Sequence, residues 1–320
     1  MRVSQWITAT ACAALLSYSW TLASEETTPG TAAQPPVEFA TAQPAAPALL
    51  DGAGFVQPRP QELRDPCAQL AVVSSPSRPF WDGGASTTQC GILESDFGWL
   101  RQPMAPGVRQ WMLVSSLRYG ITPKLDIRWG VIDHISQSGT EVGPLAGIGD
   151  QCIDLTYRFH EQGRRMPALA LAYALEIPAG NPSKGFGSGF IDHAFSFVAS
   201  RDLGRNHLDF NAVGSLDGTT NGHDGAAQFG LAFSRPMNPR FLLTLETYGG
   251  PQPGTEARFG AAQASLSYSL RPWLVLDGAY ARTFTAGSPR QQMMFGFTYA
   301  MRPSFAPLPR GSWIAHLLGR

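Results

Sequence analysis

Between residues 90 and 301, apolar side chains return at every second position in one short segment after another, and no other feature limits the fold so tightly. In ALALAYALEI, Leu169, Leu171, Tyr173, Leu175 and Ile177 share one face, while Ala168, Ala170, Ala172, Ala174 and Glu176 share the other. QASLSYSL sets Ala264, Leu266, Tyr268 and Leu270 against Gln263, Ser265, Ser267 and Ser269. CIDLTYRF sets Ile153, Leu155, Tyr157 and Phe159 against Cys152, Asp154, Thr156 and Arg158. A helix would repeat its apolar positions every ~3.6 residues; a repeat of two is the signature of a strand with two unlike faces.

Twelve segments carry this alternation, centred on 90–100, 110–119, 125–132, 152–159, 167–177, 191–200, 206–215, 226–234, 241–248, 259–270, 273–282 and 292–301. The links after the first, third and later odd segments are longer, as in DHISQSGTEVGPLAGIGDQ and DGTTNGHDGA. Those after the even ones are short: GITPK, HEQGRRM, RDLGR, RPMNPR and RP. An even number of strands with alternating short and long links predicts an all-β fold, an antiparallel up-and-down transmembrane barrel of about 12 strands over residues 88–301. It also predicts that Lys124 lies on the periplasmic side and that Lys184 and Asn221 lie outside the cell.

A soluble β-sandwich also alternates, but its polar face meets bulk water and carries many lysines and glutamates. Here the second face is mostly Ala, Gly, Ser and Thr, which suits a crowded interior. Charged residues make up 15% of the chain, against ~25% in ordinary soluble domains. Aromatics recur near strand ends at Trp99, Trp111, Tyr119, Phe159, Phe210, Tyr248, Trp273 and Tyr299, the expected places of interfacial girdles. Lysine plus arginine equals aspartate plus glutamate at 24 each, so no net charge favours nucleic acid as a partner.

Residues 1–23 read as a secretory signal peptide, which would remove Cys12, and 24–87 as a Pro/Ala-rich disordered linker and N-terminal segment. Residues 302–320 read as a periplasmic tail. Export places the barrel in the outer membrane of a Gram-negative-type bacterium. Its expected partners are membrane lipid and lipopolysaccharide, the barrel-assembly machinery and a small-molecule solute. The final strand QQMMFGFTYAM has the Gly and aromatic pattern that such machinery reads.

EIPAGNPSKGFGSGF has the outline of a phosphate-binding loop. However, Phe186 stands where that motif needs Lys, and a strand rather than a helix follows. Gly180, Gly185, Gly187 and Gly189 are therefore expected to provide positive-φ turns in the third outer loop, with Lys184 solvated or facing lipopolysaccharide and Asp150 capping a turn. The six histidines are scattered and no C-x-x-C occurs, so neither cofactor nor metal is predicted. A barrel lipid hydrolase needs a Ser and a His on one lipid-facing side, and Ser196 points away from His193; no enzyme is predicted. Cys67 and Cys90 have the spacing to staple the N-terminal segment to the first strand, leaving Cys152 free.

Alternation turns Glu94, Asp96, Arg118, Asp126, Arg128, Asp154, Arg158, Glu176, Asp192, Asp209, Asn211, Glu246 and Asp277 inwards. Arg118, Asp126, Arg128, Asp154, Arg158, Glu176, Asp209, Asn211 and Glu246 are the candidates for a constriction, with Arg128 and Arg158 among Asp126, Asp154 and Glu176. The alternative is a salt-bridge lattice that stiffens the wall. A barrel of this strand number is wider than the ~8-strand kind that side chains fill, so loops or the N-terminal segment are expected to occlude it in part.

LRYGITPKLDIRWGV, GIGDQCIDLTYRF and the IPAG motif with its Gly-rich loop resemble the MetA-pathway of phenol degradation family of outer-membrane proteins over roughly residues 88–301. The resemblance implies an outer-membrane barrel with a transport role towards small hydrophobic or aromatic compounds, and brings no catalytic residues. A structural or surface-binding barrel without a through-path is the competing reading.

Overall fold

The computed structural model describes residues 67, 71–81, 83–104, 107–251, 258–285 and 291–304. The stretch expected to be a signal peptide, with Cys12, the expected linker as far as residue 66 and the tail from residue 305 lie outside the described residues. The strands are β1 (Leu93–Pro103), β2 (Arg109–Thr122), β3 (Leu125–Ser138), β4 (Leu145–Gly147), β5 (Gln151–His160), β6 (Ala168–Ile177) and β7 (Asp192–Leu203). They continue with β8 (Asn206–Thr219), β9 (Gly222–Pro236), β10 (Phe241–Pro251), β11 (Arg258–Arg271), β12 (Leu274–Thr283) and β13 (Gln291–Met301).

Each long strand pairs antiparallel with its neighbours, and β1 closes the cylinder against β13 in the register Phe97↔Phe297. The short β4 only edges β3, so the barrel proper has twelve strands. They run from 10 to 15 residues, enough for the ~9–11 a tilted transmembrane strand needs. Closure leaves no free sheet edge, and hence no unpaired backbone facing lipid.

The outward face is apolar and uncovered: Leu171, Phe195 and Phe295 are 52%, 54% and 59% exposed. Such a continuous greasy surface belongs in hydrocarbon rather than water. Phe97 stacks on Phe297 at 5.2 Å and Trp99 on Trp111 at 4.7 Å across the strands that close and flank β1.

The structure departs from the sequence reading in identifiable places. DGTTNGHDGA is no long loop: β8 and β9 extend through it to a tight hairpin, pairing Thr219 with Gly222, because the alternation continues in small and polar residues that lack an apolar signal. Tyr248 does not join an interfacial girdle. It shares the inward face of β10 with Thr244 and Glu246 and is 4% exposed. Cys152 is not free but disulfide-bonded, its side chain on the buried inward face of β5.

Candidate functional site

The lumen holds a piece of chain that is not wall. From Val73 to Gln89 the N-terminal segment rises into the barrel from the end of the short turns, crosses it, and returns to the same end. Ser74 N–H donates to Pro272 O at 2.8 Å and Ser75 N–H to Glu94 at 2.5 Å. Ser77 Oγ reaches Asp96 at 3.2 Å, Pro79 O accepts from Gln263 Nε2 at 2.7 Å, and Trp81 N–H donates to Glu246 at 3.4 Å. On the way back Gly83 O accepts from Asn211 Nδ2 at 3.0 Å, Ala85 N–H donates to Ser200 Oγ at 2.7 Å, and Thr88 N–H donates to Asp126 at 2.7 Å. A disulfide between Cys67 and Cys90, with Cα atoms 5.0 Å apart, ties the two feet together. At the apex the Trp81 ring lies parallel to Tyr248, 4.8 Å away.

Most of the constriction candidates form the docking surface of this segment. Arg118 donates to Glu94 at 2.7 Å and to the carbonyl of Ser75. Asp126, Asn211 and Glu246 each bind the segment's backbone directly. Asp209 does so through Ser200, whose hydroxyl donates to it at 2.5 Å, while His207 bonds it at 3.0 Å. Arg128 pairs with Asp154 at 2.8 Å across β3 and β5. Arg158 is not among the inward acids. It turns towards the β2–β3 link, donating to Pro123 O at 2.8 Å and meeting Glu161 at 3.7 Å, because it sits near the turn end of β5.

Glu176 stands at the opposite end. It faces Asp192 across β6 and β7, and Asp150 and Asp217 are close enough to act on it by charge. Asp150 is held by the Gly-rich loop: Ala179 and Gly180 N–H donate to one carboxylate oxygen at 2.9 and 2.7 Å, and Ser188 N–H donates to the other at 2.9 Å. The loop therefore cradles an anion, but one supplied by its own chain. Gly185 and Gly189 take positive φ (72° and 77°). Gly180 and Gly187 do not; they are needed for close approach, since a Cβ would fall 2.0 Å from Phe186 O and 2.5 Å from Asp150 respectively. Lys184, expected to be solvated or to face lipopolysaccharide, is exposed and donates to Ala146 O at 3.1 Å.

The inward face is not uniformly small or polar. Towards the loop end Leu100, Met112, Val114, Ile132, Ile135, Tyr248, Phe259 and Met294 pack together, with Trp81 entering from below and Phe186 from the Gly-rich loop above. Below them a cavity of about 710 Å³ curves beside the N-terminal segment, lined by Arg118, Arg128, Ala172, Ser196, His207 and Ser267 among others. Sequence reasoning missed Arg78 and Trp81. The signal present was SRPFWDGG, an island of charge and aromatics inside a Pro/Ala-rich stretch and too short to be a strand.

No family model matches the chain, and no curated protein matches it. Among solved structures it is similar to the COG4313 outer membrane channel from Pseudomonas putida F1, at 14% identity and a TM-score of 0.54, covering 71% of this chain and 100% of that one. It is also matched by the NanC porin (9%, TM-score 0.44, 65% and 98% covered) and the KdgM porin (10%, 0.42, 67% and 99%). The likeness to the first of these establishes the outer-membrane barrel fold.

Proposed function

We propose that this chain is an outer-membrane channel for small solutes whose lumen is closed by its own N-terminal segment. The observation that carries the reading is the composition of the wall at mid-height: Gly98, Ala172, Ala174, Ser196, Ala232, Ser265 and Gly296 leave a bore that their own side chains cannot fill. A barrel meant only to be solid would fill itself with large inward residues, as ~8-strand barrels do. Here a separate strand of chain fills it, held by hydrogen bonds worth roughly 0.5–1.5 kcal/mol each.

The apolar belt above the cavity suits a solute with an apolar or aromatic body, since apolar surface leaves water most favourably against apolar surface. The motif resemblance to the phenol-degradation MetA-pathway family supports the same solute class and a divergent kinship with it. The protein works as a transporter rather than an enzyme, seated in lipopolysaccharide-bearing membrane and folded there by the barrel-assembly machinery. The belt also favours the second reading, a structural barrel, because Leu100, Met112, Val114 and Ile132 belong to the wall and close it.

Single-channel recording and liposome swelling separate the two. The channel reading expects small, rare openings from the full chain and a several-fold larger conductance when residues 79–85 are removed. Silence from both, with folded barrels in the membrane, would leave the structural barrel.

A further inference from the structure

Arg78 occupies a recess that the barrel wall makes for it. Gly98 on β1 and Gly296 on β13 are register partners, and the guanidinium lies over the pair. A Cβ on Gly98 would fall 1.6 Å from the guanidinium carbon, and one on Gly296 would fall 2.9 Å from Nη2. Two missing side chains on adjacent strands therefore leave a flat slot against the backbone.

The two groups that face the guanidinium are acceptors. The Phe295 carbonyl accepts from Arg78 Nη2 at 3.4 Å, and Asp277 Oδ1 lies 3.8 Å from the same nitrogen, an ionic contact too long for a hydrogen bond. The Asp277 side chain is 0% exposed, and neither of its oxygens has a hydrogen-bond partner among the described residues. Asp96 stands beside it on the same wall, accepting from Thr298, Ser116 and Ser77 at 2.5, 3.0 and 3.2 Å. The wall's own arginines are used elsewhere, Arg118 on Glu94 and Arg128 on Asp154. The cation that faces Asp277 is thus brought by the N-terminal segment. A buried carboxylate left without it is costly, so the slot favours a replacement of like chemistry.

We propose that the Gly98–Gly296 slot with Asp277 is a binding site for the guanidinium or ammonium head of an organic cation, and that Arg78 fills it as a tethered stand-in for that solute. Binding at the slot is a property of the wall; passage of the bound cation rests on the channel reading above. The buried Asp277 carboxylate with Asp96 beside it disfavours anions, and the apolar belt above takes the body of the solute, so amphipathic organic cations are the class that fits both.

The test uses the full chain carrying Arg78→Ala, purified in detergent and titrated calorimetrically with millimolar methylguanidinium chloride against sodium chloride of equal ionic strength. Saturable binding is expected in Arg78→Ala, with at least a tenfold loss in wild type, where Arg78 competes, and in the Arg78→Ala/Asp277→Asn double variant. Should Arg78→Ala fold poorly, its folded yield should rise with millimolar methylguanidinium. No saturable binding in a folded Arg78→Ala, equal binding in the double variant, or no rescue of a poorly folded Arg78→Ala overturns the proposal. In planar bilayers the same variant should show a cation-selective reversal potential in a potassium chloride gradient, and an anion-selective one counts against the site. Binding without conductance in any variant keeps the site and removes the channel; conductance without binding does the reverse.

Discussion

At the turn end the lumen wall presents Glu94, Asp126, Ser200 and Asp209 to a separate piece of chain, and at the loop end it presents Leu100, Met112, Val114 and Ile132 to one another and to Phe186. Both regions arise from the same alternation on the same strands. In the lower one the partner is held by single hydrogen bonds to backbone groups, which water can replace one at a time. In the upper one it is held by dispersion and apolar burial, which are lost all together. On the channel reading, the lower half is the one that can be left and the upper half the one that stays. Among the described residues, Trp81 is the one group of the N-terminal segment in the upper cluster.

The comparison breaks if damage to one half travels into the other. Asp150→Ala should have the largest effect: three loop amides, that of Ser188 buried and those of Ala179 and Gly180 part-buried, lose their acceptor, at about 1–3 kcal/mol for a buried group. Denaturant unfolding or heat-modifiability should show the whole barrel destabilised by several kcal/mol; a near-neutral result would mean the Gly-rich loop is no part of the upper packing. Trp81→Ala should remove about 3–5 kcal/mol, but from docking of the N-terminal segment. Limited proteolysis should cut residues 71–89 rapidly while the barrel's own unfolding transition moves by less than about 1 kcal/mol. Equal loss in both would erase the distinction between the halves.

Leu171→Arg should cost about 2–4 kcal/mol of barrel stability, while Ala172→Ser, one residue on and facing the cavity, should cost less than about 0.5 kcal/mol. Equal tolerance of the two would say that the outward face does not meet lipid. The smallest effect is expected from Asn211→Ala, which removes the single bond to Gly83 O. It should weaken docking by about 1 kcal/mol, seen as roughly fivefold faster labelling of a cysteine placed at Gly83 with the native thiols removed.

The twelve long strands and the sidedness of most of their residues, Tyr248 excepted, were legible because period two is a local property: Leu171 and Ala170 differ in exposure (52% against 0%) as their parity requires. What the inward face meets was not legible, because it depends on which distant segment enters the barrel. Glu246 and Asn211 read as pore-lining groups and serve as hooks for Trp81 and Gly83. The meeting of Gly98 with Gly296 was not legible, since only the closing register of β1 on β13 brings them together. Arg158 followed the parity rule but not the grouping, because its height along β5, not its face, decides its partners. The Asp150 cradle was half visible: the loop had the glycines of an anion-binding turn, while its anion lay some thirty residues earlier in the chain.

The Cys67–Cys90 bond, 23 residues apart in sequence, makes the lumen segment a closed ring rather than a free end. A thread held at one foot can drift far from the pore; a ring held at the wall cannot. Its apex stays within a few nanometres of its seat, at an effective concentration of about millimolar or more, and closing the ring has already removed much of the entropy that escape would gain. If the channel reading holds, undocking is then a brief excursion followed by rapid return, and traffic comes in short bursts whose length is set by the ring and not by the amount of protein in the membrane. Opening the ring should lengthen each burst without changing the path that a solute takes.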